Sequence, residues 1–297
     1  MTDPGATPGV SGRSGDPSTS PGGRRSRILS WGSGREGVRS VTIAMASTVV
    51  FFAVVVYAVL HSPGWPAVKE SFFNGEIFKE SFPGILKAFV VNVELFLVAE
   101  VLILILALFI AILRSLTGPV FFPIRALAIG YTDLFRGIPT ILVIYIFGFG
   151  APPLGSGVPK SPFFWAVVSL VLVYSAYVAE VYRAGIDSVH ESQVAAARSL
   201  GLSRWQSMRF VVLPQAIRRV IPPLLNDFIG LQKDTALVAS IGVVEAFRQA
   251  QIDEASTFNF TPYLATALLF VLITIPLARF TDALIARDRR RRQGGAR

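Results

Sequence analysis

The chain contains no cysteine, so it can form neither a disulfide nor a thiolate metal site. Its only two histidines, His61 and His190, fall in predicted loops on opposite sides of a membrane, which argues against a zinc site. No G-x-x-x-x-G-K-[ST] run occurs, so the chain lacks the phosphate-cradling loop of a P-loop ATPase. If ATP drives this protein, a partner hydrolyses it. The stretch Gly32 to Gly37 matches G-x-G-x-x-G, but no strand precedes it and an apolar run follows, so it is not a nucleotide-binding turn. No nucleophile, base and metal constellation can be assembled, which leaves an enzyme without a site. Charge is scarce too, at 16% of the 297 residues.

What the chain has instead is apolar length. Hydrophobic residues make up 52% of it and cluster into blocks long enough to cross a bilayer. Val41 to Leu60 holds no charge over about the 20 residues that a hydrocarbon core requires. Further blocks run from about Ala88 to Leu113, Val120 to Gly150, Pro162 to Val181, Ala216 to Gly242 and Pro262 to Leu277. Six crossings follow, and an all-α integral membrane protein. The third and fifth blocks carry charges in "YTDLFRGIP" and "LQKDT", which survive at membrane depth only in protein or beside a wet cavity.

Lysine and arginine mark the loops that stay in the cytoplasm. The head "RRSR", the tail "ARDRRRRQGGAR" and the loop from Asp187 to Gln215 are expected inside, and six spans return both ends to that side. The net charge of +9 is read mainly as this topological signal, so no nucleic-acid partner is expected. Residues 1–38, rich in Gly, Ser, Pro and Thr, are expected to be a disordered cytoplasmic tail. From His61 to Pro83 an outside loop is expected to form an interfacial helix with aromatic anchors.

The most informative loop reads "QVAAARSLGLSRWQSMRFVVLP", Gln193 to Pro214. Ser188 with Glu191 forms a capping box that opens a helix running to Leu200. Gly201 supplies the left-handed residue that ends it. Ser203 with Gln206 opens a second helix to about Leu213, and Pro214 is tolerated where the next helix begins.

That spacing resembles the integral-membrane permease subunits of binding-protein-dependent ABC importers, whose pattern is E-A-A-x-x-x-G, nine residues, then I-x-L-P. Here Ala195-Ala196-Ala197, Gly201 and Val211-Val212-Leu213-Pro214 reproduce it, with Ala195 in place of the glutamate. The stretches Tyr174 to Val189, Tyr131 to Pro139, Leu213 to Thr235 and Ala239 to Glu245 are similar to the polar-amino-acid branch of that family. The resemblance covers about Ala88 to Leu284. It implies a type I ABC importer permease core over residues 88–284, an extra N-terminal helix and outside loop over 39–87, and a basic cytoplasmic tail over 285–297. It also implies that Ala195, Ala196, Ala197, Gly201, Arg204, Leu213 and Pro214 belong to coupling helices seated in an ATPase subunit. The partners implied are a second permease subunit, the same or similar, two ATP-binding subunits and an extracytoplasmic substrate-binding protein. ATP and Mg would sit on the ATPase chains, with no cofactor on this one. The implied cargo is a polar amino acid, glutamate- or glutamine-like.

Ionisable groups inside the spans are candidates for the translocation pathway. Asn226, Gly230 and Lys233 recur at helical spacing, with Asp227 and Asp234 beside them, so one side of the fifth block is a polar seam. Arg136 or Lys233 can hold a carboxylate, and Glu180, Asp227 or Asp234 an ammonium group. The competing reading pairs Lys233 and Asp234 with each other or with Arg136 and Glu180, holding helices in register. Glu180, Arg183 and Asp187 read as a local ion ladder, and Asn92 and Glu100 as helix-to-helix hydrogen bonding. A self-sufficient ion-coupled transporter or channel, working through Glu100, Glu180 and Asp234, is the rival reading; it has no need of the hinged loop.

Overall fold

A computed structural model describes the backbone of residues 35–294 and the side chains of residues 39–287. Residues 1–34 of the head expected to be disordered, and the last residues of the basic tail, lie outside the described part. Among the described residues every regular element is helical. Four helices are long and apolar enough to cross a membrane, and a fifth crossing results if one bent pair counts as a single span.

Two units divide at Pro66. The first contains α1 (Arg35–Leu60), whose described side chains are all exposed. Its uncharged part, Val41 to Leu60, satisfies its own backbone hydrogen bonds and leaves its side chains to lipid.

The second unit begins in α2 (Trp65–Phe72) and continues into α3 (Gly75–Ser115), a single helix of 41 residues that runs through Pro83. The break between them is made by Asn74, whose side chain accepts the backbone N–H groups of Glu76 (3.1 Å) and Ile77 (3.2 Å), as an N-cap does. The segment expected outside is therefore a short helix joined to a long one. It is pinned by Asn259, which donates to the Glu70 carbonyl (2.8 Å), and by Phe72 stacked on Phe260.

The core gathers around α6 (Pro162–Asp187), which packs against α3, α4 (Phe122–Gly137), α5 (Thr140–Gly150) and α9 (Leu213–Asp234). Lipid is as apolar as leucine, so close packing rather than water release holds such helices together. Small residues make the closeness possible. A Cβ on Gly185 of α6 would sit 2.1 Å from a methyl of Val220 on α9. One on Gly230 would meet the Tyr174 hydroxyl at 3.2 Å.

The third apolar block is bent by 104° between α4 and α5, at Ile138 and Pro139. Proline cannot continue the α4 hydrogen-bond ladder and biases the residue before it toward extended geometry. The fifth block becomes α9, followed by a 3-10 stretch, Thr235–Ile241. At about 1.5 Å per residue α9 is long enough to cross, but it is too polar to pass on composition. α9 continues through Pro222 and Pro223. After it come α10 (Ala246–Thr257) and α11 (Thr261–Gly294).

Replacing Gly185 by alanine is expected to lower stability by about 1–3 kcal/mol, because the added methyl overlaps Val220. Thermal unfolding in detergent measures it, and Val220→Ala in the same chain should restore part of the loss.

Candidate functional site

The hinged loop lies between α6 and α9. α7 (Glu191–Ser199) is capped by His190, not by Ser188 as the sequence pattern predicts. Backbone geometry decides this. Ser188 is still helical, with its hydroxyl donating to the Gly185 carbonyl at 2.5 Å, while His190 is extended and its ring nitrogen accepts the Ser192 N–H at 3.2 Å.

The far end of α7 follows the expected route. Gly201 has φ +85°, and the N–H groups of Gly201 and Leu202 return to the carbonyls of Arg198 (3.0 Å) and Ala197 (3.2 Å). This pair of bonds is the Schellman turn, and the glycine occupies its left-handed position. Two residues later Ser203 and Gln206 bond each other's backbone N–H groups at 3.2 and 2.8 Å, forming the expected capping box for α8 (Arg204–Ser207).

From Met208 to Val212 the chain widens into a π turn, and α9 starts at Leu213 with Pro214 in its first turn. The wide turn gives the proline ring room and leaves the helical path unbroken. Beneath the loop Val189, Val212 and Ala216 are buried together with Ile186, Val194 and Met208 beside them. Gln215 donates to Gln193 (2.5 Å), and Arg219 bonds the Ser188 carbonyl, so the loop is tied to α9 at two points.

This packing sorts the predicted loop residues. Ala197 is buried, while Ala195, Ala196 and Arg204 are exposed. Leu200 and Trp205, on either side of Gly201, are 83% and 67% exposed. Arg198, Arg204 and Arg209 lie close to them in the sequence and are exposed as well. The hinge thus presents two exposed apolar side chains and three exposed arginines.

Next to the loop, Glu180 on α6 is the centre of an ion cluster. Arg114 of α3 donates to it at 2.7 Å and also to Thr132 of α4 at 3.0 Å. Arg183 bonds it from the next turn, Arg136 approaches to 3.9 Å, and Arg183 continues to Asp187 at 2.5 Å. The local ladder of Glu180, Arg183 and Asp187 is as the sequence predicts. Arg114 and Arg136 join Glu180 from other helices, Arg136 at 3.9 Å with its side chain still 41% exposed.

Farther along α9, Asp234 accepts the Tyr174 hydroxyl at 3.0 Å and a hydrogen bond from the Thr140 side chain. Thr140 is the first residue of α5 and Asp234 the last of α9, so the two interrupted helices meet at this carboxylate. Asp227 interacts with Glu100 across α9 and α3, and its Oδ2 is buried without a hydrogen-bond partner. Glu100, on the same helix as Asn92, makes no hydrogen bond to another helix among the described residues, so the helix-to-helix bond expected of it is not formed. Asn226 and Lys233 lie exposed and unpaired among the described residues. The alternative in which Lys233 and Asp234 pair with each other, or with Glu180 and Arg136, is not formed among the described residues: Asp234 accepts from Tyr174, and Arg136 approaches Glu180.

The structure also assembles a network that the sequence pattern only half reveals. Glu245 is wholly buried at the N-terminus of α10, accepting the N–H groups of Phe247 (2.9 Å) and Arg248 (2.8 Å). Asn92 of α3 donates to Glu245 (2.8 Å) and Thr235 (3.1 Å), and accepts the Ala246 N–H (3.1 Å). Asn92 was expected to bridge helices and does so. Glu245 carries no local sequence signal, because only its place at a helix start explains a buried acid held by N–H groups.

The family model described as "Binding-protein-dependent transport system inner membrane component" matches residues 115–290. Among curated relatives, the probable amino-acid permease protein YxeN of Bacillus subtilis (strain 168) is 33% identical over 67% of this chain and 89% of its own. The arginine transport system permease protein ArtQ of the same organism is 33% identical over 69% and 92%. The glutamine transport system permease protein GlnP of Escherichia coli (strain K12) is 36% identical over 51% and 69%. A solved amino acid ABC transporter with histidines superimposes with a TM-score of 0.64 at 32% identity, over 69% of this chain and 94% of that one.

Replacing Glu180 by glutamine leaves Arg114, only 11% exposed, without its anion, and is expected to cost about 3 kcal/mol in detergent unfolding. Asn92→Ala strips one donor from Glu245 and should cost about 1–3 kcal/mol in the same measurement.

Proposed function

The chain belongs to the inner membrane components of binding-protein-dependent transport systems, and we propose that it is the permease subunit of an ATP-driven importer of polar amino acids. As a member it is a multi-pass membrane protein and a transport subunit rather than an enzyme. The curated relatives named as glutamine and amino-acid permeases support the cargo class, and glutamate or glutamine is the favoured cargo.

One observation carries the mechanism: the hinge built on Gly201, with exposed Leu200 and Trp205 and three exposed arginines. A capped, turned helix pair of this kind suits a groove on an ATPase subunit. In this reading two such hinges, one from each permease subunit, dock two ATP-binding subunits that carry ATP and Mg. Both termini and the hinge then lie in the cytoplasm, and an extracytoplasmic binding protein delivers substrate to the other face. The core runs over residues 88–284, with 39–87 as an added helix and loop, and tails at 1–38 and 285–297. ATP binding draws the hinges together and turns the pathway outward, and hydrolysis resets it. The ATPase drives the change through its differential affinity for the two states. Loss of the glutamate at Ala195 leaves docking to Leu200, Trp205 and the arginines, which meet acidic groups of the partner.

Gly201→Leu tests this reading. The site has open space around a Cβ, so the strain is confined to the backbone at φ +85°. About 1–2 kcal/mol of strain should reduce the docking-competent hinge about five- to thirtyfold. Co-purification of the ATPase and ATP-dependent uptake should fall together, with Gly201→Asn less affected because asparagine tolerates this region. Unchanged co-purification and uptake would remove the importer reading in favour of a self-sufficient transporter.

A further inference from the structure

Between the end of α6, α7 and α8 the hinge surrounds a cavity of about 570 Å³, within the range of about 300–1,000 Å³ that small-molecule sites occupy. It lies in the loop, at the opposite end of α9 from Asp234. Buried Val189 and Val212 give it an apolar floor. Four charged residues also line it, Asp187 and Glu191 with Arg198 and Arg204. Asp187 is held by Arg183, and Arg198 reaches the Leu202 carbonyl at 3.4 Å, whereas the side chains of Glu191 and Arg204 form no hydrogen bond or ion pair among the described residues. The cavity thus keeps a free charge of each sign. Ser207 lines it too, is 2% exposed, and its hydroxyl has no hydrogen-bond partner. Ser188 and Ser199 satisfy their hydroxyls on nearby backbone carbonyls, so this one is an exception. A buried hydroxyl left unpaired is rare and costly, and a ligand that accepts from it recovers that cost.

We propose that this cavity binds a free α-amino acid through its ammonium and carboxylate groups. The Arg204 and Arg198 guanidinium groups take the carboxylate, the Ser207 hydroxyl donates to it, and Glu191 takes the ammonium. A plain anion such as phosphate is a poorer match, because the free Glu191 carboxylate repels it, and a plain cation meets the arginines. Only a ligand that carries both charges answers both. The inference rests on the reading of the chain as an amino-acid importer, which puts the hinge in the cytoplasm, where cargo is released. An occupant touches α6, α7 and α8 across the Gly201 turn, so delivered cargo braces the hinge against the movement that the ATPase imposes.

The test is amide hydrogen exchange of the full complex with its ATPase in phosphatidylglycerol nanodiscs. The probes are glutamine, glutaramate, which lacks the ammonium, and γ-aminobutyramide, which lacks the carboxylate. Saturating glutamine is expected to slow exchange in α7 and α8 about tenfold, and both analogues far less. Ser207→Ala should weaken glutamine about fivefold without lowering the ligand-free unfolding midpoint, since the hydroxyl has no partner to lose. Arg204→Gln should weaken it about tenfold, and Arg204→Lys less. No slowing, equal slowing by glutaramate, or slowing that persists at unchanged affinity in Ser207→Ala and Arg204→Gln overturns the proposal, the last because glutamine then acts from elsewhere. The phosphatidylethanolamine headgroup carries the same pair of charges, so loss of the glutamine effect when that lipid is added identifies a lipid site and also overturns it. Should Arg204→Gln lose the ATPase, Glu191→Gln carries the same comparison, expected to weaken glutamine about fivefold and glutaramate not at all. The importer reading fails separately, when no ATPase co-purifies with the chain.

Discussion

A carboxylate with no cation, buried where three helical segments meet, holds the second unit together. Glu245 accepts two N–H groups at the start of α10 and the Asn92 amide from α3, and Asn92 reaches on to Thr235 at the end of α9. In a low-dielectric interior each of these bonds is strong because the alternative is an unsatisfied group. The helix dipole of α10 supplies positive potential in place of a counter-ion. Thr274 of α11 extends the contact by donating to Gln232 at 3.0 Å, so α3, α9, α10 and α11 share one polar joint. The position of Lys233 and Asp234, one residue from that joint, follows from it.

From this joint the structure runs along α9 to the hinge. Close packing at Gly230 and Gly185 keeps α9 against α6, and the Glu180 cluster ties the far end of α6 to α3 and α4. The hinge then grows from the same two helices, bound to α9 through Gln215 and Arg219. A force on Leu200 or Trp205 is therefore applied to α6 and α9 through short, packed connections and not through a slack loop. In the proposed importer that continuity would turn movement of a partner into movement of the core.

Much of the hinge could be read without coordinates. Gly201, Ser203 and Gln206 act through bonds spanning five residues or fewer, so their chemistry and spacing specify the turn. The same locality explains the Arg183 ladder. It also explains the one error there: Ser188 and His190 both lie ahead of α7, and which of them caps depends on where α6 stops. Arg114 was missed for the opposite reason, since it lies 66 residues from Glu180 and only folding brings it there. On α3 the pattern gives no direction either. Ile103 and Ala107 are buried, Val101 and Ile105 exposed, and all four are apolar because lipid and protein interior solvate side chains alike.

By itself the sequence determined that the chain is helical, crosses a membrane repeatedly and carries a hinged pair of helices, because backbone hydrogen bonding in lipid and helix capping are local constraints. Only the tertiary structure decided which charges neutralise one another. It placed Asp234 against Tyr174, Glu180 against Arg114 and Glu245 beneath Asn92, and left Lys233 facing an apolar groove. Partners of charges are chosen by the crossing of distant helices, and spacing along one helix cannot express it.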